Sequence, residues 1–485
     1  VTASLGTAKA PVNRVTPVTP AVLAPLLEVL PSWSTEPADL ERGRTDRSGW
    51  YGEGTPLLWV RATSVSDVSQ TLSFANTRGI PVVTRGSGTG LAGGASAGGG
   101  CIVLDLSGLN APPLIDAANR TATVQPGVIT ADLDRAAAAV GLRYAPDPAS
   151  YAISSIGGNI ATNAGGLRGA KYGVTRDAVL ELTVVLADGS VLRTGRQTLK
   201  GVTGYDLTSL FVGSEGTLGV VVEATLRLQP IPPRTVTIAA FFATIGDAAA
   251  ASSALAVAPV QPSILEIVDG PTLAAIDAAQ GTAFRDRGGA FLLAQTDGYG
   301  AAEEAAVVVE VLGRTATLVE FTEDDAQAQV LLATRRLALP SLERIGRVLI
   351  EDIAVPRSRL AEAVRGIEEI SARTGVRIFT LGHAGDGNLH PIIVVDRAEL
   401  EEDAELGNDA EIRDDSEIGD DAWAAAGEIF ALALRLGGTL TAEHGVGVLK
   451  QRWVREEVGE VGYRLHAGIK ELLDPAGILN PGKAF

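Results

Sequence analysis

One cysteine, four histidines and no methionine occur in 485 residues. The single Cys101 excludes an internal disulfide, and also a Cys-ligated iron–sulfur cluster or a Cys-rich zinc site built within this chain. Redox chemistry would therefore need an organic cofactor, or a metal held by His and carboxylate. Long apolar runs are missing too. No stretch approaches the roughly 18 consecutive apolar residues that mark a membrane-spanning helix. Val1 to Leu30 carries scattered Pro and no apolar core of signal-peptide type, so a cytoplasmic chain, free or peripheral to a membrane, is expected. Positive charge is scarce: 40 Lys and Arg stand against 58 Asp and Glu, for a net charge of −18. Such a chain repels phosphate backbones and anionic lipid, so no nucleic-acid partner is expected. Nothing in the pattern accounts for the missing methionine.

Glycine, by contrast, is abundant, with 56 residues that cluster. Clustered Gly marks loops where backbone must approach something closely. The length allows several domains and a sizeable core. After an N-terminal extension (1–49) with a short helix, strand and helix patterns alternate: a strand at Leu57–Ala62, an amphipathic helix at Val65–Arg78 and strands at Pro81–Thr84 and Cys101–Leu106. Arg42–Ser48 reads as a polar loop. Pro230, Pro232 and Pro233 mark a boundary. This divides the chain into 50–232, 233–452 and a C-terminal segment 453–485 that returns to the first domain. Asp396 to Asp421 holds 13 acids against two Arg and reads as a solvated surface insertion.

Three glycine-rich loops fall in the first half. Thr84 to Gly94 reads T-R-G-S-G-T-G-L-A-G-G. Its formal G-x-G-x-x-G match is not a Rossmann site, because that loop must open a helix. Here Gly93, Gly94 and Gly98–Gly100 follow, and the chain runs into a strand. Such a loop still binds a pyrophosphate when consecutive N–H groups form a concavity; the plain alternative is a Gly-rich turn. The second loop, Pro146 to Gly173, carries Gly157–Gly158 and Gly165–Gly166 with short polar residues between. The third, Gly213 to Gly219, reads G-S-E-G-T-L-G.

In order and spacing these loops resemble the FAD-binding domain of the vanillyl-alcohol oxidase and p-cresol methylhydroxylase superfamily, from about Thr55 onward. The resemblance implies an α+β, two-domain flavoprotein: a p-cresol methylhydroxylase-type FAD-binding domain and an antiparallel-sheet cap domain. It implies FAD contacts at Arg85, Gly86, Ser87, Gly88, Thr89 and Gly90, then at Pro146, Gly157, Gly158, Thr162, Gly165 and Tyr172, then at Glu215, Gly216 and Gly219, with Asn480 of the tail near the isoalloxazine. Many relatives attach FAD through a His in the first loop. No His precedes His383 here, so non-covalent FAD is expected.

Three of the four His lie in two short motifs, G-H-A-G-D-G-N-L-H at 382–390 and A-E-H-G-V-G at 442–447. Imidazole with carboxylate suits zinc first, with manganese or iron as alternatives. A zinc protease is excluded, because H-E-x-x-H is absent. The motifs resemble those of the D-lactate dehydrogenase, glycolate oxidase catalytic subunit and D-2-hydroxyglutarate dehydrogenase branch. Carried over, His383, His390 and Glu443 would bind a divalent metal, His444 would be the base and Asn388 would help hold substrate. His466, in a helical stretch, reads as structural. Leu331–Pro340 resembles the cap motif that offers an Arg to the substrate carboxylate. Arg335 matches, although Leu332 stands where a Trp is common. Relatives that take a second carboxylate place a Lys where Ile350 stands. A small D-2-hydroxy acid of the D-lactate or glycolate type is thus the expected substrate, before 2-hydroxyglutarate or a larger acid. Reoxidation would need an external acceptor: a quinone, a cytochrome, an electron-transfer flavoprotein or oxygen. A homodimer is compatible with the chain. Two other readings stand beside this one: a non-redox, FAD-using ether-lipid synthase of the same superfamily, and a metal-binding protein whose Gly loops are only structural.

Overall fold

The protein is described here from a computed structural model, which describes residues 19–198, 200–396 and 418–485. Most of the acidic stretch, 397–417, lies outside the described residues.

The strands expected around the first loop form a four-stranded sheet in the order Trp33–Ser34, Leu58–Arg61, Ile102–Asp105, Val82–Arg85. The last three run parallel. Parallel strands need a crossover, and the helix Val65–Arg78 supplies it. Ser64 and Asp67 close a capping box at its start and Gly79, with φ +62°, ends it. No helix follows Gly88, and the chain passes through turns into Ile102–Asp105, as the Gly density requires. The C-terminal tail joins this sheet: Leu479 bridges Val82, and the Asn480 N–H donates to the Val82 carbonyl at 2.8 Å.

A five-stranded antiparallel sheet follows, in the order Leu114–Asp116, Thr121–Val124, Val220–Arg227, Val179–Val185, Val191–Gly195. Past the Pro run, Thr235–Phe242 opens an eight-stranded antiparallel sheet. Its path is Leu318–Thr322, Thr235–Phe242, Ala290–Asp297, Ile264–Asp269, Ile378–His383, Asn388–Asp396, Gly346–Ile350, with Ile353–Ala354 also on Asn388–Asp396. Each face is buried. One carries Leu265, Ile267 and Ile393 under the helices Ile245–Leu255, Ala301–Leu312 and Leu360–Thr374. The other carries Val268, Leu381 and Ile392 and lies under the helix Asp325–Arg336.

Two local readings are corrected. Residues 37–43 of the stretch before Arg44 are helical, because Pro37 at the first turn favours a start there. The second glycine-rich loop contains a short helix, Ile156–Thr162, despite Gly157 and Gly158: the Ser155 side chain accepts from the Gly158 N–H and caps it.

Candidate functional site

The functional residues converge because strand register sets them there. Residues directly opposite in antiparallel strands share a face, and residues two apart share it too. Glu266 pairs with His383 and His383 with Asn388; Val268 pairs with Leu381 and Leu381 with His390; Ile350 pairs with Ile392. One sheet face thus reads, from end to centre, a polar row, a mixed row and an apolar row. Glu443 and His444 come to the polar end on a loop.

That loop is held by one side chain. Asp352, wholly buried, accepts on Oδ2 from the N–H groups of Ala442, Glu443 and His444 at 2.9, 2.8 and 2.9 Å, and from the Thr441 hydroxyl at 2.7 Å. Its Oδ1 accepts from Asn388 Nδ2 at 2.8 Å. Burial opposes its ionisation, but the His444, Lys450 and His390 charges and these N–H groups hold it well below the usual carboxylate range.

Around it the titratable groups divide. His383 Nδ1 lies 2.6 Å from Glu266 Oε1, and its Nε2 lies 3.4 Å from Glu443 Oε1. Burial lowers its pKa, but Glu266 and Glu443 outweigh burial and hold it well above the ordinary value. Burial, together with the His444 and His383 charges, pushes His390 well down. Burial also lowers His444, against the pull of Asp352. Burial would raise Glu443, yet His383 holds it at about 2. His390 Nδ1, His444 Nδ1 and Asn388 Oδ1 are buried with no hydrogen-bond partner among the described residues.

A cation fits this donor set. Ligand atoms of His383, His390 and Glu443 lie within 4.8 Å of one another, as do those of Asp352, His390 and His444. The first set is the better cage, because both Asp352 oxygens are already committed to the five donors above. A dication there would offset the buried charge of Glu443 and give His390, which has an unpartnered ring nitrogen, an acceptor for a lone pair.

The same side chains open onto a cavity of about 530 Å³, of the size that binds small molecules and cofactors. The three loops line it through Gly86, Ser87, Gly88, Thr89 and Gly90, through Pro146, Gly157, Gly158, Thr162 and Gly165, and through Glu215, Gly216 and Gly219; His383, His390, Glu443, His444 and Arg335 complete it. The backbone N–H groups of Gly86 through Leu91 donate to no acceptor among the described residues. Unpaired donors along a cavity wall suit a bound pyrophosphate. Gly88 has φ +70°, and a Cβ there would lie 2.2 Å from Arg85 Nη2, so the turn admits no side chain. The residues present therefore fit FAD.

Four expected contacts do not line this cavity. Arg85 turns away, and its Nη1 donates to the Thr45 and Ala95 carbonyls. The Tyr172 hydroxyl donates to Asp297, which also takes Lys171 at 2.6 Å; the pair ties the second loop to the eight-stranded sheet. Asn480 gives its amide to the Gly94 and Glu215 carbonyls, and Lys483 Nζ donates to Gly94, Ser96 and Asn480. These tail residues brace the first and third loops from behind. Asn388 gives its amide to Asp352 and Ile353. Arg335 is buried and Arg336 is exposed, so the two are not equivalent surface charges. His466 stacks on Phe485, away from the cavity.

Sequence reasoning missed Asp352, Glu266 and Lys483. Two of them carried a signal. The first two are acids inside apolar strand runs, V-L-I-E-D-I and I-L-E-I-V-D, where an unpaired charge would be costly. Glu215 was expected to touch the cofactor, but its carboxylate does more: it accepts from the Val446 and Gly447 N–H groups at 2.8 Å each and so joins the third loop to the His444 loop.

Residues 231–484, more than half of the chain, match the family described as FAD linked oxidases, C-terminal domain. Residues 56–195 match the FAD binding domain family. The chain belongs to the FAD-linked oxidases. This FAD-linked oxidase is 42% identical to glycolate oxidase subunit GlcD of Bacillus subtilis (strain 168), covering 89% of the chain and 90% of that protein. It is 32% identical to D-lactate dehydrogenase of Anaerostipes hadrus, covering 96% and 97%. Among solved structures it resembles p-cresol methylhydroxylase, with a TM-score of 0.77 at 18% identity over 96% of this chain and 98% of that one, which establishes the common fold. The expected α+β architecture with an FAD-binding domain and an antiparallel-sheet domain is therefore borne out. Among the described residues no helix is long and apolar enough to cross a membrane.

The approach of two loops makes a testable contact. A Cβ on Gly165 would stand 2.4 Å from Glu443 Oε1 and 3.0 Å from its Cδ. Because Asp352 fixes the Glu443 backbone, the carboxylate would have to swing aside. Gly165→Ala is expected to weaken metal binding while FAD is retained. Elemental analysis beside the visible spectrum checks this; unchanged metal content would count against the contact.

Proposed function

We propose that this FAD-linked oxidase converts a small D-2-hydroxy acid, of the D-lactate or glycolate type, to its 2-oxo acid with the help of a divalent cation. The observation that carries the reading is the opening of His383, His390, Glu443 and His444 into the cavity that the three glycine-rich loops line. The similarity to proteins named glycolate oxidase subunit GlcD and D-lactate dehydrogenase supports it.

A flavin bound along the three loops would supply the hydride acceptor, and a dication would lower the pKa of the substrate hydroxyl. His383, His390 and Glu443 would hold the cation. Arg335, whose Nε is already engaged by Glu266, would present the rest of its guanidinium to the substrate carboxylate. His444 would take the hydroxyl proton; an imidazole whose burial keeps it neutral suits that step. The apolar row beside the His pair, Leu381, Ile392 and Ile350, suits a small substrate side chain, and Ile350 stands where relatives that take a second carboxylate place a Lys; Arg47, Arg168 and Arg336 line other parts of the cavity. Residues 50–232 would carry the cofactor and 233–452 the substrate. An external acceptor would reoxidise the flavin.

The test is an anaerobic visible spectrum before and after D-lactate or glycolate, with and without a chelator. Bleaching that disappears once metal is stripped is expected. A flavin spectrum indifferent to every hydroxy acid would sink the reading in favour of a non-redox, ether-lipid synthase type of chemistry. The cofactor is expected to be released wholly on acid precipitation, since the first loop itself contains no His; yellow colour left in the pellet would refute non-covalent attachment.

A further inference from the structure

Behind the cavity wall, on the sheet that carries His383, lies a carboxylate that the chemistry above does not use. Glu266 is wholly buried in the middle of the eight-stranded sheet. Its two oxygens go to two different partners: Oε2 accepts from Arg335 Nε at 2.7 Å, and Oε1 lies 2.6 Å from His383 Nδ1. The partners are far apart in sequence, one on the helix Asp325–Arg336 and one on the strand Ile378–His383. Both also face the cavity, which Glu266 itself does not line.

Each bond fixes an orientation. A His that donates from Nδ1 to a carboxylate is left with Nε2 as its ligating atom once that nitrogen gives up its proton to an incoming cation, and Nε2 is the atom turned toward Glu443. A guanidinium held at Nε still has both terminal nitrogens for a second, forked contact. Resting on the reading proposed above, we infer that Glu266 is a positioning residue that sets the metal ligand His383 and the substrate arginine Arg335 together. The metal and the substrate carboxylate are thereby registered to one another through a single side chain. A buried ion pair kept only for folding would also need its second oxygen satisfied, but any buried donor would serve; here the donor is a candidate ligand on a neighbouring strand.

Glu266→Gln tests this. The amide offers one acceptor where two are used, so one partner must lose its bond. Zinc affinity, measured by competition with a chromophoric chelator on the FAD-loaded protein, is expected to fall about 10–100-fold, the usual cost of losing an outer partner of a ligating His. With zinc restored to saturation, KM for D-lactate should rise more than kcat falls. Glu266→Asp, which keeps the charge but withdraws it by a methylene, should show the same two losses and covers the case in which the Gln variant does not fold. Zinc affinity and KM within twofold of the parent in either folded variant would overturn the positioning role while leaving the proposed reaction standing. If the parent protein itself binds no zinc that Glu443→Ala removes, the proposed reaction fails and this inference with it.

Discussion

Replacing His444 with Ala is expected to slow flavin reduction by D-lactate about 10²–10⁴-fold, the usual contribution of a positioned general base, while the yellow cofactor stays bound. The selectivity of the effect follows from the architecture. His444 reaches the cavity from a loop whose backbone is fixed by Asp352 on one side and by Glu215 on the other. Truncating the ring leaves those anchors in place, so the three glycine-rich loops should not move. The ring stacks on His390 with centroids 5.0 Å apart, so a small loss of metal affinity is also expected. Stopped-flow reduction at saturating zinc separates the two effects. A reduction rate within tenfold of the parent under those conditions would remove His444 from the role of base.

The second large effect concerns Asp352, which hydrogen-bonds to none of the three glycine-rich loops. Asp352→Ala would leave three part-buried backbone N–H groups without an acceptor, while the Thr441 hydroxyl would keep only the Gly445 carbonyl and the Asn388 amide only the Ile353 carbonyl. Each unsatisfied group costs on the order of 1–3 kcal/mol, although relaxation of the loop would recover part of it. The expected outcome is a lower thermal midpoint together with loss of bound metal. Glu443→Ala makes the contrast. It removes a candidate ligand but none of the anchors, so metal should be lost with little change in the midpoint of the metal-free protein. Equal midpoints for the two variants would show that the loop does not depend on Asp352. Metal retained in Glu443→Ala would remove that residue from the ligand set.

Much of this site was legible before any coordinates. Helix and strand periodicity gave Val65–Arg78 its full extent and Cys101–Leu106 to within one residue at each end, because the helix carries clean caps and the strand an apolar run. The density of Gly after Gly88 was enough to exclude a Rossmann helix. Motif spacing grouped His383, His390, Glu443 and His444. What misled was residue type taken without partners. Tyr172 lies in the expected second loop and Asn480 in the expected tail, yet Tyr172 ties its loop to the eight-stranded sheet and Asn480 braces two loops from behind.

The sequence by itself determined the element types, the three close-approach loops and the identity of the metal-capable side chains, since propensity, glycine clustering and short-range spacing are local properties. Only the tertiary structure decided that Glu266 meets both Arg335 and His383, that Asp352 holds the Glu443–His444 loop, and that Gly165 makes room for Glu443. Those facts depend on strand register and on contacts between residues more than fifty positions apart. A register shift of one residue in either strand would turn Glu266 or His383 to the opposite face. Nothing local to Glu266 or Asp352 says which distant donor its buried carboxylate will satisfy.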